Sequence, residues 1–299
     1  MYLTGFADEV SADLKFQIKA TRELNWKRIE TRNLWSRNLA SVSDAEFETV
    51  QQLLAESGVS FNCYGSAIAN WSHPITDEAE SSYEEFRKAI PRMQKLGIKM
   101  VRIMSFRVPD ELKPKSWEFA DEVVRRVTRI VKMAEDAGIL CVHENCMNWG
   151  GLSFEHTLYL LDHISSPAFK LVFDTGNPIF NLDCRGEAPY TTRQSSWDFY
   201  RNVKEFIAYV HIKDAHVLPD GNTAYDYAGE GQGDVKKILT DLHANGYDGG
   251  ISIEPHVAFV FHEKENPSEE EVLQFRYDSY VRYGKIVEKM VRDIGFRPC

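Results

Sequence analysis

The sequence predicts a single α/β domain, a (β/α)8 TIM barrel over residues 1–299, and three observations carry that expectation. Strand-like and helix-like runs alternate eight times along the chain, the pattern that implies a parallel sheet. Helical patterns end at Gly58, Gly97 and Gly138, each followed by a β-branched run, as αβ connections require. Four strand-like runs in the second half each end on a residue able to bind a hard metal ion: Glu144, Asp174, His211 and Glu254. Successive parallel strands set their C-terminal ends side by side, and in a closed barrel those ends ring the mouth.

The first strand is expected at residues 2–6, before a helix over 11–24 whose Leu14, Ile18 and Leu24 share a face. A second strand at 26–30 precedes a helix over 43–57, where Ser43 and Glu46 have capping-box spacing. The third strand is placed at 59–63, and a helix over 77–96 leads to the fourth strand at 99–104. A long helix over 116–137 precedes the strand that reaches Glu144. Helices follow at 153–163, 194–206 and 234–245, and the last strand covers 249–254. A helix from about residue 268 to 291 closes the chain. Connections 66–76, 175–193 and 214–233 are longer than usual α/β loops. All three follow strands, which puts them on the face where such barrels carry their chemistry. An open doubly wound sheet would want a Gly-rich turn after the first strand, and Gly5–Phe6–Ala7–Asp8 is not one.

Composition excludes several classes. Hydrophobic residues at 43% and charged residues at 27% describe an ordinary globular protein. No apolar run approaches the roughly 20 residues that span a bilayer, and the N-terminus has no signal-peptide pattern. Five cysteines without a CxxC pair fit reduced thiols in the cytoplasm. A formal charge of −10 tells against a nucleic-acid partner, and Arg125–Arg126 reads as the solvated side of a helix.

Alternation along a strand sorts the candidate ligands. An inward Glu144 takes Val142 inward and sends His143 toward the helices, as a structural histidine. An inward His211 takes Tyr209 and Lys213 with it, which makes Lys213 a candidate substrate contact beside its reading as a rim lysine. Three carboxylates and one imidazole without thiolate favour a hard divalent ion, Mn²⁺ first, with Mg²⁺, Co²⁺ and Zn²⁺ as alternatives. Glu30 and Arg102 read equally as substrate contacts or as members of buried ion pairs, and His216 and His256 stand near the proposed site as further candidate contacts. Trp71, Trp149 and Phe106 fall in or near mouth loops, where aromatics stack on a sugar or simply pack the loop down. Gly229–Glu230–Gly231–Gln232–Gly233 has the glycines of an anion cradle, but Glu230 and Asp234 would repel an anion, so it is expected only to shape the rim.

The runs His143–Glu144–Asn145, Phe173–Asp174–Thr175–Gly176–Asn177, His211–Ile212–Lys213–Asp214, Gly229–Glu230–Gly231–Gln232–Gly233–Asp234 and Ile253–Glu254–Pro255–His256 resemble the xylose-isomerase-like TIM-barrel superfamily. The resemblance starts at Thr4–Gly5–Phe6–Ala7–Asp8–Glu9 and covers essentially the whole chain. That superfamily holds sugar isomerases, ketose 3-epimerases, inosose dehydratases and abasic-site endonucleases. The resemblance to its epimerases implies Glu144, Asp174, His211 and Glu254 as metal ligands, with the two glutamates also moving the proton. Those epimerases usually carry histidine three residues after the metal-binding aspartate, whereas Asn177 stands here and is expected to contact substrate. The resemblance therefore implies a metal-dependent isomerase or epimerase of a small sugar or keto-sugar. The alternatives are a lyase using the same site, an abasic-site endonuclease, and a non-catalytic sugar-binding barrel. Nothing in the sequence fixes the oligomeric state; a homo-oligomer is compatible with it.

Overall fold

Eight parallel strands form the wall around which the molecule is built, and helices fill the returns between them. The computed structural model describes residues 1–259 and 268–299. The barrel strands are β1 (Tyr2–Gly5), β2 (Arg28–Thr31), β3 (Ser60–Gly65), β4 (Met100–Ile103), β5 (Leu140–Glu144), β6 (Phe169–Asp174), β7 (Ile207–Ile212) and β10 (Gly250–Ile253). Their hydrogen-bonded order is β1-β10-β7-β6-β5-β4-β3-β2, and β1 approaches β2 to bring the barrel nearly to closure. This is the single TIM barrel that the alternation of elements predicts.

The packing helices form where the apolar spacing places them. They are α1 (Leu14–Glu23), α2 (Asp44–Ser57), α3 (Glu80–Leu96), α4 (Ala120–Asp136), α5 (Phe154–His163), α7 (Ser196–Val203), α8 (Val235–Ala244) and α9 (Glu269–Ile294). A short α6 (Asn177–Phe180) lies within the long connection after β6. Ser43 and Glu46 make the reciprocal capping box at α2, and Gly58 ends that helix at φ +69°, a conformation that suits glycine. The main core lies between strands and helices and includes Leu14, Phe86, Val127, Leu160 and Tyr283, all fully buried. Burying a side chain of Val or Phe size contributes roughly 1.5–3 kcal/mol, so this layer dominates the stability. A small second core of Cys63, Val142, Val172 and Tyr209 fills the barrel interior.

Three elements differ from the expectation. The connection after β7, expected as an open loop, contains an antiparallel hairpin of β8 (Asp214–Val217) and β9 (Thr223–Asp226). The helix expected from residue 116 begins at Ala120, because Asp110–Phe119 forms 3-10 turns broken by a kink at Lys115, next to Pro114. Arg126 is not solvated like Arg125; its guanidinium is buried and donates to Glu122 and to the Asp77 carbonyl.

Candidate metal and active site

The parallel register brings the strand ends to one level. Asp174 on β6 is the direct partner of His211 on β7, and Ser252 on β10 pairs with the same histidine. Glu144 ends β5, and Glu254 immediately follows β10. Each of Glu144, Asp174, His211 and Glu254 offers one donor atom, and these four atoms lie within 4.8 Å of one another. All four residues are buried. Donors around one ion at about 2.0–2.3 Å can be at most about 4.6 Å apart, so closing on an ion needs a contraction of only a few tenths of an ångström.

Each side chain is held in place by its neighbours. His211 Nδ1 faces Glu144 Oε1 at 3.1 Å, while Nε2 lies 3.1 and 3.2 Å from the Glu30 oxygens. Glu30 is buried, takes a second hydrogen bond from the Tyr209 hydroxyl at 2.9 Å, and does not line the cavity. Of the two roles that the sequence leaves open for Glu30, substrate contact or buried ion pair, the structure shows the second, under the histidine. A carboxylate on the far nitrogen of a ligating imidazole fixes its tautomer and raises its basicity.

Asp174 Oδ1 accepts the backbone N–H groups of Gly176 at 2.8 Å and Asn177 at 2.7 Å, which leaves Oδ2 to the cluster. Glu144 Oε2 is anchored by Arg102 at 3.1 Å, and Glu254 Oε1 by Arg32 at 2.8 Å and His256 at 3.2 Å. Glu9 holds His256 in turn, with Oε2 accepting its backbone N–H at 2.8 Å and Oε1 lying 3.3 Å from Nδ1. Lys213 Nζ lies 2.9 Å from Glu254 Oε2 and 3.1 Å from Asp174 Oδ2, and donates to Asn177 Oδ1 at 3.0 Å. Asn177 Nδ2 reaches Glu144 Oε1 at 3.3 Å.

The electrostatics follow from these contacts. Burial pushes the Glu144 carboxyl up, but Arg102 and His211 outweigh it and bring it down to about 2. Burial acts the same way on Glu254, and Lys213, His256 and Arg32 hold it well below the usual carboxylate range. Burial would lower His211, yet Glu30 and Glu144 raise it to about 10. Asp174 is raised by burial, which the nearby Lys213 only partly offsets.

The donor set fits a hard divalent ion. Three carboxylates and an imidazole suit Mn²⁺ or Mg²⁺ chemistry. Asp174 Oδ2 and Glu254 Oε2 are buried and accept no hydrogen bond from a described residue, and the charge that faces both is the Lys213 ammonium. A divalent ion held by the four donors would take both oxygens as ligands beside that ammonium.

The remaining candidates divide. Lys213, Asn177 and His256 line a cavity of about 770 Å³ above the cluster, together with Arg32, Arg102 and Trp71. His216 does not line it; its Nδ1 pairs with Asp226 at 2.6 Å across the β8–β9 hairpin. Trp71 is half exposed, whereas Trp149 and Phe106 are buried and serve the packing of their loops. His143 points to the helix side, as alternation predicts, with Nε2 3.0 Å from Ser105 Oγ. The glycine-rich turn cradles no external anion: the backbone N–H groups of Gly229, Gly231 and Gly233 all donate to the buried Asp214 carboxylate. A Cβ on Gly231 would come within 2.5 Å of the Ala215 carbonyl oxygen, so the turn can close only on glycine there. Sequence reasoning missed Arg32 and Glu9. Arg32 stands two residues after Glu30, and the same alternation that turns Glu30 inward would have found it.

Known proteins place the chain. It aligns with a probable endonuclease 4 from Campylobacter concisus (strain 13826) at 25% identity over 224 residues, which is 71% of this chain and 77% of that one. A D-tagatose 3-epimerase-like protein superposes with a TM-score of 0.71 at 19% identity, covering 98% of both chains. A xylose isomerase-like TIM barrel protein from Mycobacterium smegmatis in complex with magnesium superposes at 0.65 with 15% identity, covering 97% of each. The structural likenesses establish the fold. The model of the xylose isomerase-like TIM barrel family matches residues 18–276, and the chain belongs to that family.

Proposed function

We propose that the protein is a divalent-metal-dependent isomerase or epimerase of a small sugar or keto-sugar, in which Glu144 and Glu254 move a proton beside the carbonyl. The observation that carries this reading is the matched environment of the two glutamates. Each is buried in the same cluster and each has one oxygen anchored by an arginine, Arg102 for Glu144 and Arg32 for Glu254. Their second oxygens face the cluster. Mn²⁺ is the ion we favour, with Mg²⁺ next. Held by Glu144, Asp174, His211 and Glu254, it would supply Lewis-acid polarisation of the substrate oxygens.

The chain's own residues supply the rest. Both glutamates are held ionised, the form that accepts a proton. Glu254 Oε1 is fixed by Arg32, and Oε2 faces the cluster beside the Lys213 ammonium, where it is placed to take the proton. Asn177 and Lys213 stand at the cavity wall, where an amide and an ammonium orient substrate hydroxyls. With an ion bound at Nδ1, Glu30 would hold the remaining proton of His211 on Nε2.

Lys213 also favours a second reading. An ammonium 2.9 Å from Glu254 Oε2 can protonate a departing β-hydroxyl once the neighbouring carbon has lost its proton, which turns isomerisation into dehydration. The two readings share their first step and differ in product. An abasic-site endonuclease fits less well, because a formal charge of −10 opposes a phosphate backbone. We therefore propose no nucleic-acid partner.

Incubating metal-loaded protein with ketoses in D₂O tests the proposal. Deuterium should enter the carbon beside the carbonyl, and an unsaturated product would select the lyase. Glu254→Gln should abolish turnover while substrate still binds. Near-normal turnover in that variant would remove Glu254 from the proton transfer.

A further inference from the structure

A second chamber of about 660 Å³ opens on the catalytic face beside the first. Its walls come from the connections after β4, β5 and β6, and Cys146, Met147 and Phe180 border both chambers. A cavity of about 300–1,000 Å³ accommodates a drug-sized ligand, so the first chamber alone has room for a single sugar ring. The second is therefore additional space, adjoining the site of chemistry.

Its charge contrasts with the rest of the molecule. The chain is acidic, at −10 overall, yet the charged residues lining this chamber are Arg107, Lys113 and Arg193 against Asp110 alone. Lys113 pairs with Asp110 at 2.6 Å. Among the described residues neither arginine has a carboxylate partner. The Arg193 guanidinium donates only to the backbone carbonyls of Phe180 and Gly221, at 2.5 and 3.1 Å, which fixes its position without neutralising its charge. Arg107 is exposed and, among the described residues, makes no side-chain hydrogen bond or ion pair, though its charge reaches Asp110 at longer range. Two guanidinium groups on one concave wall, neither in a salt bridge with a described carboxylate, are suited to a carboxylate or a phosphate, which they bind through charge-assisted and bidentate hydrogen bonds. Tyr190, Pro189 and Leu182 add an apolar surface on which the body of such a group can lie.

We propose that this second chamber is a subsite for a negatively charged unit, bearing a carboxylate or a phosphate, attached to the sugar that reacts over the four-residue cluster. The proposal rests on the preceding functional reading only for what occupies the first chamber. The substrate would then be larger than a monosaccharide. Its distal charge would fix the orientation in which the reacting ring enters.

Calorimetric binding of three probes to the metal-loaded protein tests this: a neutral disaccharide, its analogue with glucuronate as the second unit, and a disaccharide phosphate. At least one anionic probe should bind about tenfold or more tightly than the neutral one, the scale of one charge-assisted contact. Comparison of the two anionic probes identifies which group the chamber takes. The preference should disappear in Arg107→Gln, reverse in Arg107→Glu, and weaken in Arg193→Gln. Arg107 has no partner to lose, so its variants should fold normally. Equal binding of all three probes, or a preference untouched by the Arg107 variants, would overturn the subsite. Those outcomes leave the proton-transfer reading intact. Absent deuterium exchange combined with an Arg107-dependent anion preference would do the reverse.

Discussion

His143 and His211 sit near the ends of strands two places apart in one barrel, and both are buried, yet the protein uses them in opposite ways. His211 points inward between Glu30 and Glu144, whose charges raise it to about 10 against the pull of burial. His143 points outward to Ser105 and the edge of Phe169, and burial lowers it to about 4. Burial alone therefore says nothing about function. The difference lies in which side of the pleat a residue occupies, because the inside of the strand ends collects charge and the outside collects hydroxyls and rings.

Replacing inward groups should break function without breaking the fold, and replacing outward ones should do the opposite. The largest effect is expected for Glu254→Gln and Glu144→Gln, which should lower turnover by about 100-fold or more, the usual range for a lost general base. Circular dichroism should show both variants folded, while His143→Asn should keep most of its turnover. Next in size are His211→Ala and Asp174→Asn, each lacking one direct ligand. Equilibrium dialysis should find metal affinity reduced by at least tenfold in both while the fold persists, since strand-tip residues contribute little to the core. Unchanged metal stoichiometry in both would refute their assignment.

Glu30→Gln sharpens the comparison from beneath. It keeps a hydrogen-bond acceptor for His211 Nε2 but removes the negative charge, and outer partners of this kind typically alter metal affinity by about 10–100-fold. An effect within twofold would mean that Glu30 serves the barrel interior through Tyr209 rather than the histidine.

The smallest effect on activity is expected for two buried histidines away from the cluster, His143 on β5 and His156 on α5, whose role is read as stability. His143 and His156 are both lowered to about 4 by burial, against an ordinary value of 6.5. Below 6.5 the unfolded chain binds protons that these buried rings refuse, so stability is lost as pH falls from 6.5 toward 4. Each shift corresponds to at most about 3 kcal/mol at the acid end of that window. Chemical denaturation of His143→Asn and His156→Gln across this range should give flatter pH profiles than the parent protein. A parallel profile in both would show that these rings are not neutral in the folded state.

Much of this arrangement was legible in the sequence because period two along a strand and the register of a parallel barrel are strong constraints. They brought four residues from four distant segments to one point and turned His143 away from it. What stayed hidden depends on side-chain reach between strands. Arg102 lies on β4, the neighbour of the β5 that carries Glu144, and Arg32 follows β2, two places from β10 around the ring, and only the folded geometry shows that each anchors a glutamate. Glu9 acts from a short 3-10 turn after β1 through His256, a partner 247 residues away. The β8–β9 hairpin was hidden for a different reason: its strands are short and carry mixed residues, with no alternation to mark them. The glycine-rich turn revealed its flexibility but not its purpose, because the anion it encloses is the chain's own Asp214.

The most direct test of the inward cluster is an anomalous difference map from crystals grown with Mn²⁺. The account predicts a peak bounded by Glu144, Asp174, His211 and Glu254, with donor distances of roughly 2.0–2.3 Å. No peak at the strand ends, or a peak that leaves out two or more of these four residues, would contradict it.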